Sequence, residues 1–405
     1  MDADTSGPQA PTRRPGRVGS GRLLNARRSG RFGTRSTAAG ARFRQHWTLP
    51  AGCVESVPSE PVQHEPAGGA VTQTTPAPAR DDKHFEETDL EHYRRELTGY
   101  SYRMLGSAAD AEDAVQETLS RAWRAADRFE GRSSLRTWLY RIATNVCLDV
   151  LDGKHRRVRP MDLGAPSTVQ SAELVQLPGG RWLEPMPDGQ ILPTIDDPAE
   201  QASQRDTIRL AFVAALQHLP AKQRVVLLLR EVLRWPAAEV AELLDSSVPA
   251  INSALQRARA TLAERDPGLD DAWDPLDPEH EALLERYMDA FERYDMEALR
   301  SLLHEDATQS MPPYDLWLRG RDEVIGWMAG PGKECEGSRL VRVEANGMPA
   351  FAQYRRSASG DGYHPWAIQI LEFRGDQVTG QNSFLDTARL FPLFGLPEDP
   401  DDLDR

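Results

Sequence analysis

The sequence lacks any apolar run long enough to cross a membrane, and it has little cysteine. No uninterrupted apolar stretch of its 405 residues approaches the roughly 18 residues of a transmembrane helix, which excludes a membrane span. The three cysteines, Cys53, Cys147 and Cys335, lie too far apart for a disulfide framework or a cysteine-only zinc site. No apolar core follows the positive N-terminal segment, as a secretory signal would need. We therefore expect a cytoplasmic protein without membrane contact, and no metal or cofactor motif stands out.

Positive charge is also scarce, and its distribution is uneven. The chain has 48 Lys and Arg against 62 Asp and Glu, a formal net charge of −14. Residues 267–405 carry 13 basic and 28 acidic side chains, and residues 161–200 carry one and seven. Because phosphate contacts need local positive charge, any nucleic-acid contact must come from patches outside these acidic parts.

Residues 1–80 are predicted to form a disordered, Arg-rich tail. The stretch 13–44 contains ten arginines and no acid, and a Pro-, Gln- and Thr-rich stretch follows it. Three interpretations stay open: a basic arm that binds nucleic acid, a solvated tail, or an over-long reading frame whose true start lies near Val71.

Residues 85–158 are predicted to form an all-α unit. Apolar side chains from Leu90 to Met104 recur at helical spacing, and Gly106 ends that stripe. Ser107 is a suitable N-cap for a second helix, in which four side chains form the predicted buried face: Val115, Leu119, Ala122 and Trp123. A turn at Gly131 then precedes a third helix.

Residues 159–200 have the composition of a linker, and residues 201–266 are again helical. Trp235-Pro236 starts a short helix, 245–247 form a polar turn, and Pro249 opens the last helix. Because Ile251 and Leu255 face inward at helical spacing, the polar side chains between them face outward. This is a helix-turn-helix pattern, whose second helix reads bases in the major groove.

Residues 278–390 are predicted to form an α+β domain of two helices followed by antiparallel strands. Alternating apolar and polar positions predict strands at 339–344, 350–354, 367–373 and 377–379.

The two helical units resemble the promoter-binding regions of extracytoplasmic-function sigma factors of the sigma-70 family. Asp110-Ala-Glu-Asp-Ala-Val-Gln-Glu-Thr-Leu119 is similar to the region 2 helix that binds the β′ clamp of RNA polymerase, and 129–145 is similar to the segment that melts and reads the −10 element. Residues 219–259 are similar to region 4, which reads −35 DNA. The resemblance implies partners, core RNA polymerase (β′ clamp and β subunits) and promoter DNA, and a polymerase-binding set of Asp110, Asp113, Gln116, Glu117 and Leu119.

The chemistry of strand capture agrees with this resemblance. Unstacked bases are held by aromatic surfaces beside cations, and both residue types alternate in this segment. The expected −10 contacts are Phe129, Arg136, Trp138, Tyr140, Arg141 and Asn145. A place in the core stays an alternative for Trp138.

The last helix of the helix-turn-helix departs from the family pattern, which often has an early arginine. Here the corresponding positions are Asn252-Ser-Ala254. Asn and Gln can bind adenine edges and Arg a guanine edge. The expected −35 contacts are Asn252, Ser253, Gln256, Arg257 and Arg259.

The C-terminal domain resembles the SnoaL-like fold, a cone-shaped α+β barrel with a pocket. The overall fold class is thus multidomain: two all-α sigma domains, the second a helix-turn-helix, followed by a SnoaL-like cone. A small ligand is a possible partner of this domain, in a pocket lined by Tyr314, Trp317, Trp327 and Trp366. Five side chains could supply acid and base groups if they met in the pocket, although a structural or surface role is favoured for each: His304, Asp306, Asp322, His364 and Asp386.

These observations predict an alternative sigma factor without catalytic residues or cofactor, regulated in cis by its C-terminal domain. The acidic linker is expected to thread polymerase in place of region 3. One rival is a helix-turn-helix repressor or activator. The other is a SnoaL-like small-molecule enzyme or ligand sensor fused to a DNA-binding unit.

Overall fold

The structure, a computed structural model, describes residues 87–153, 155–177, 180–193, 197–264, 274, 277–357, 360 and 362–403. The predicted tail at 1–80 lies outside the described residues.

The first helical unit contains four helices. They are α1 (Glu87–Glu91), α2 (Arg94–Leu105), α3 (Ala108–Arg124) and α4 (Leu135–Leu151). The apolar stripe that begins at Leu90 is therefore divided between α1 and α2. Gly106 ends α2 in a left-handed conformation, and Ser107 caps α3 by accepting a hydrogen bond from the Asp110 amide. Ser134 caps α4 in the same way, from the Thr137 amide.

The segment between the two helical units is ordered over most of its length and pairs with its surroundings. It contains a 3₁₀ turn at Pro160–Asp162 and the short helix α5 (Asp188–Ile191). Val158 forms a β-bridge with Trp182, so the segment turns back on the end of the first helical unit.

The second helical unit has five helices: α6 (Pro198–Asp206), α7 (Leu210–Gln217), α8 (Ala221–Leu227), α9 (Ala237–Leu243) and α10 (Val248–Glu264). A π-helical turn, Leu228–Val232, extends α8. In the turn between α9 and α10, Asp245 adopts a left-handed conformation, as aspartate tolerates. Ile251, Leu255, Ala258 and Leu262 form the buried face of α10, as expected.

The C-terminal domain packs helices against one sheet of six strands. Its helices are α11 (Pro278–Glu292), α12 (Met296–Leu302), α13 (Arg321–Ala329) and α14 (Thr387–Leu393), with 3₁₀ turns at Pro331–Cys335 and Pro400–Asp402. The strands are β1 (Leu303–Ser310), β2 (Trp317–Arg319), β3 (Arg339–Ala345), β4 (Met348–Arg356), β5 (Tyr363–Arg374) and β6 (Gln377–Phe384). Their order is β2-β1-β6-β5-β4-β3, antiparallel except for the parallel pair β1 and β6.

The strand pattern in the sequence indicated β3 to β6 and missed β1 and β2. The reason for β1 is chemical: its buried side chains include the polar Gln309 and Ser310, so the strand shows no apolar alternation. β2 is only three residues long.

One apolar core connects the helical units with the C-terminal domain. It includes Tyr102 of α2, Met186 of the linker, Ile208 just before α7, and the inner faces of the sheet and of α11. Because this cluster is continuous, each part buries apolar surface against the others.

The turn between β3 and β4 lies at the centre of this junction. The Asn346 side chain is fully buried, and its Nδ2 donates to the Tyr102 hydroxyl (2.6 Å) and to the Ile208 carbonyl (2.7 Å). Its Oδ1 accepts from the Met186 amide at 2.9 Å. One amide side chain thus bonds to the first helical unit, the linker and the second helical unit.

Gly347, the other residue of this turn, has no room for a side chain. Its φ is +67°, and an added Cβ would lie 2.7 Å from the Arg205 carbonyl oxygen. Gly375, in the turn between β5 and β6, has a similar φ of +57° but open space around it.

We expect Gly347→Ala to separate the junction, because the variant adds a backbone clash to the cost of a left-handed alanine, about 1–2 kcal/mol. Amide hydrogen exchange of Met186 should accelerate at least about tenfold. In Gly375→Ala only the conformational cost applies, so the hydrogen-exchange rate of the Met186 amide should stay unchanged. Equal acceleration in both variants would mean that the close approach at Arg205 does not hold the junction.

Candidate nucleic-acid interface

The predicted polymerase-binding residues lie on α3 and divide into exposed and engaged side chains. Asp113 and Gln116 are exposed on one face. Glu117 is partly exposed and pairs with Arg121 at 2.7 Å. Asp110 accepts a hydrogen bond from the buried Arg157 at 2.6 Å.

Of the side chains predicted to form the buried face of α3, Leu119 is buried and Trp123 is exposed. Leu119 is 6% exposed and belongs to the core of the first helical unit, so we assign it no contact surface. Trp123, predicted to be buried, is 53% exposed. At about 100° per residue, Trp123 is rotated about 80° from the buried Val115, which turns it out of the core.

The segment predicted to read −10 DNA contains an aromatic pair beside open polar side chains. The Phe129 and Trp138 rings lie 5.0 Å apart, and both side chains are half-buried. Arg141 and Asn145 are exposed along the same helix, α4. These four side chains combine stacking surface, charge and an amide, the groups that hold single-stranded bases.

The two remaining predicted −10 residues, Arg136 and Tyr140, are engaged within the protein. The Tyr140 hydroxyl donates to Glu96 Oε1 at 2.9 Å, and Arg136 Nε donates to the same oxygen at 2.7 Å. Tyr140 is fully buried, and burial raises its pKa well above the usual range. Tyr140 is therefore a core residue in this conformation.

The second helical unit covers this part of α4. The ring of Trp235 packs edge-on against Tyr140 with centroids 5.1 Å apart, and the Arg136 guanidinium lies 5.7 Å from the Trp235 ring centroid. Arg141 donates to the Glu242 carbonyl at 3.2 Å. In this conformation three residues expected to contact DNA thus contact the helix-turn-helix unit, although Arg141 stays exposed.

All five predicted −35 residues lie on the exposed face of α10. They are Asn252, Ser253, Gln256, Arg257 and Arg259. Arg259 also donates to Glu231 at 2.6 Å. The surface that a major groove would meet is therefore open.

Two buried arginines connect the helical units. Arg103 of α2 donates to the Thr207 hydroxyl at 2.7 Å, and Arg224 of α8 donates to the Met104 carbonyl and to Gln217 Oε1 at 2.7 Å. Burial lowers the pKa of each guanidinium to about 10, which leaves both charged at neutral pH. Arg224 meets the carbonyl end of α2, where the helix dipole favours positive charge.

Glu184 of the linker connects α3 with the C-terminal domain. Its Oε2 accepts from the Ser107 hydroxyl at 2.7 Å and from the Ala108 amide at 3.1 Å, a favourable place for an anion at a helix N-terminus. Arg389 of α14 donates to its other oxygen at 3.2 Å.

Asp188 of α5 is a titratable group in direct contact with the β3–β4 turn. It is buried and accepts from the Gly347 amide at 2.8 Å. The pKa of Asp188 is raised to about 7, chiefly by burial; the Gly347 hydrogen bond opposes this rise, Glu344 adds to it, and Arg205 opposes it.

The cone of the C-terminal domain contains a cavity. Tyr314, Trp327 and Trp366 are among its lining residues, as predicted, but Trp317 is not. Trp317 Nε1 donates to the Gly164 carbonyl of the linker at 3.0 Å. None of the five side chains considered for acid and base chemistry lines this cavity, namely His304, Asp306, Asp322, His364 and Asp386.

Within the described residues, no helix is long and apolar enough to cross a membrane, and no three His, Cys, Asp or Glu side chains lie together as a metal site would require.

Comparison with known protein families assigns all three folded parts of the chain. Residues 90–157 match sigma-70 region 2, residues 209–262 match sigma-70 region 4, and residues 284–381 match the SnoaL-like domain. The fold and the helix-turn-helix surface therefore define a sigma-70-type transcription initiation factor with a SnoaL-like domain.

Similar proteins narrow this class to one family. The chain is 48% identical over 314 residues to the ECF RNA polymerase sigma factor SigG of Mycobacterium tuberculosis, across 76% of this chain and 83% of SigG. It is 31% identical to SigJ of the same organism, across 61% of this chain and 73% of SigJ. The crystal structure of SigJ shares the fold, with a TM-score of 0.50 and 24% identity over 77% of this chain and all of that one. The chain belongs to the extracytoplasmic-function sigma factors and is an alternative sigma factor.

The raised pKa of Asp188 predicts that the junction weakens as the pH rises. The pKa of Asp188 is about 7 in the folded state, against about 3.9 for an aspartate in the unfolded state. Its protonated form therefore stabilises the fold below about pH 4, and this contribution is lost as the pH rises from about 4 to 7. Asp188→Asn retains the acceptor for Gly347 and cannot ionise. The melting temperature of the wild type should therefore fall from pH 5 to pH 8 relative to Asp188→Asn. Parallel pH profiles would contradict this assignment.

Proposed function

We propose that the chain binds core RNA polymerase through the exposed part of α3 and contacts promoter DNA through α4 and α10. Asp113 and Gln116 provide the polymerase contact. Phe129, Trp138, Arg141 and Asn145 receive the −10 strand, and the exposed face of α10 reads −35 DNA. The factor contributes no catalytic group, since polymerisation belongs to the core enzyme.

We assign the three functions to the parts of the chain predicted to carry them. Residues 85–158 act on polymerase and the −10 element, residues 201–266 on the −35 element, and the SnoaL-like domain at 278–390 regulates both. The acidic linker at 159–200 takes the place of region 3.

The packing of Trp235 on Arg136 and Tyr140 supports regulation in cis. As long as Trp235 occupies this part of α4, a melted strand cannot reach the buried Tyr140 ring, and the Arg136 guanidinium stays paired with Glu96 beside Trp235. Arg141 is engaged at the same time by the second helical unit. A factor that reads both promoter elements must therefore move α9 and α10 away from α4.

The C-terminal domain opposes this movement through Asn346. Its three hydrogen bonds join both helical units and the linker, and each is worth about 1 kcal/mol net. Their sum corresponds to roughly a hundredfold in the ratio of closed to open chain. The domain thus acts as a covalently attached inhibitor that polymerase and DNA displace.

Run-off transcription with core RNA polymerase tests the polymerase contact. Asp113→Ala combined with Gln116→Ala should abolish the promoter-specific transcripts of the full chain, because the docking surface loses its exposed polar groups. Glu285→Ala, which removes an exposed acid from α11, should leave them intact. Undiminished transcription from the double variant would contradict the assignment to α3.

The same assay tests inhibition in cis. Asn346→Gly keeps the left-handed turn and removes the three side-chain hydrogen bonds, so transcription per molecule of factor should rise several-fold. Asp376→Gly changes the exposed tip of the β5–β6 turn and should have no effect. If Asn346→Gly and the control transcribe alike, the turn does not inhibit the factor.

A further inference from the structure

The cavity of the C-terminal cone has the volume of a single ring. It measures about 140 Å³. A cavity of roughly this volume in another protein accepts benzene. Its walls combine apolar side chains, among them Phe291, Met311, Trp327 and Met328, with buried amides.

One buried amide in this cavity is unsatisfied. Gln309 of β1 is 6% exposed, and its Oε1 accepts no hydrogen bond from the residues that the structure describes. Two other amides of the lining are connected: Gln369 Nε2 donates to Gln353 Oε1 at 2.6 Å, and Gln353 Nε2 donates to the Ser338 hydroxyl at 3.0 Å. Buried polar atoms nearly always have hydrogen-bond partners, so the unpaired Oε1 of Gln309 is exceptional. Since Gln309 lines the cavity, a bound ligand that carries a donor would satisfy this acceptor.

The two charged side chains that line the cavity, Arg355 and Glu334, are paired with each other. Arg355 donates to the Glu334 carboxylate at 2.7 Å and lies 4.0 Å from the centroid of the Trp366 ring. Cys335 also lines the cavity, and burial raises the pKa of its thiol, which keeps it protonated. A charged ligand would lose its hydration without gaining a free counter-charge.

The linker forms part of the wall. Leu174 lines the cavity and is 52% exposed, so it lies at the mouth. Backbone hydrogen bonds fix the linker on both sides of it: Ser167 donates to the Trp317 carbonyl at 2.9 Å, and Leu177 donates to the Pro313 carbonyl at 3.2 Å. The Val169 amide also donates to Glu323 Oε2 at 2.7 Å.

We propose that the cone binds an uncharged monocyclic aromatic compound carrying a hydroxyl or N–H donor, which bonds to Gln309 and closes the linker over the cavity. The ring fills the space between the Met and aromatic side chains. The donor satisfies Gln309 Oε1, and Leu174 completes the enclosure.

Binding and linker closure are coupled by necessity. A ligand that contacts Leu174 binds more tightly when the linker is seated, and it therefore stabilises the seated linker to the same extent. Such a ligand strengthens the closed chain and acts as a co-inhibitor. This last consequence rests on the proposed function, whereas binding itself does not.

Ligand binding can be measured on the full chain with ¹³C-methyl-labelled methionine, following the Met311 and Met328 signals. Phenol should shift both signals and bind at least about fivefold more tightly than benzene, because one hydrogen bond is worth about that ratio. Benzoate, which has the same ring and a charge, should bind more weakly than phenol. Absence of binding by phenol, equal binding of phenol and benzene, or tighter binding of benzoate would overturn the proposal.

Two substitutions test the residues. Gln309→Leu should remove the preference for phenol over benzene and raise the melting temperature, since it deletes an unsatisfied group. Gln377→Leu is the same exchange on the same sheet outside the cavity, and it should retain the preference. A preference that survives Gln309→Leu would overturn the assignment; the wild-type comparison stands even if this variant does not fold.

Closure of the linker has its own measurement. Saturating phenol should slow hydrogen exchange of the Ser167 and Leu177 amides, and Leu174→Ala should weaken phenol binding. If phenol leaves the exchange rates of both amides unchanged and Leu174→Ala leaves the phenol affinity unchanged, ligand binding is not coupled to the linker. Because neither readout involves transcription, failure here is distinguishable from failure of the proposed function.

Discussion

The arrangement of the helical units depends on burying the Asn346 amide. A buried amide must satisfy its donors and acceptor or lose several kcal/mol. Asn346 finds its partners in α2, in the linker and just before α7, so the three segments must meet at one point. The adjoining Gly347 permits this approach because it has no Cβ. The junction thus combines a small set of buried hydrogen bonds with the apolar core that the units share.

A junction held in part by polar contacts suits the opening of the helical units that we propose. Polar contacts between units can be exchanged for contacts with water or with a partner, and the apolar surface that the units bury against one another must be covered by that partner when they separate. Polymerase and promoter DNA need only bind the open chain more tightly than the closed chain to shift the population. The exposed face of α10 and the exposed part of α3 remain available for the first encounter.

Much of this fold is readable in the sequence because its signals are local. The face of α10 follows from the spacing of Ile251 and Leu255, and the start of α3 follows from the Ser107 cap. The strands β3 to β6 show alternation because their inner faces are largely apolar. These patterns involve residues within a few positions of one another.

The remainder depends on contacts between distant residues. β1 buries Gln309, which indicates neither strand nor core by its type. Tyr140 has the composition of a strand-binding residue but lies under Trp235, almost a hundred positions later in the chain. Trp123 lies near the edge of the buried face of α3, where periodicity gives no clear direction. The pairing of Asn346 with Tyr102 has no signal within either segment.

We propose that the C-terminal domain holds the two helical units together until polymerase binds. The most direct measurement is the distance between spin labels at Asp149 on α4 and Ala260 on α10, by pulsed electron resonance. We predict one short distance in the free chain, a longer one in the complex with core polymerase, and a mixture in free Asn346→Gly. The same distance in all three states would contradict the claim.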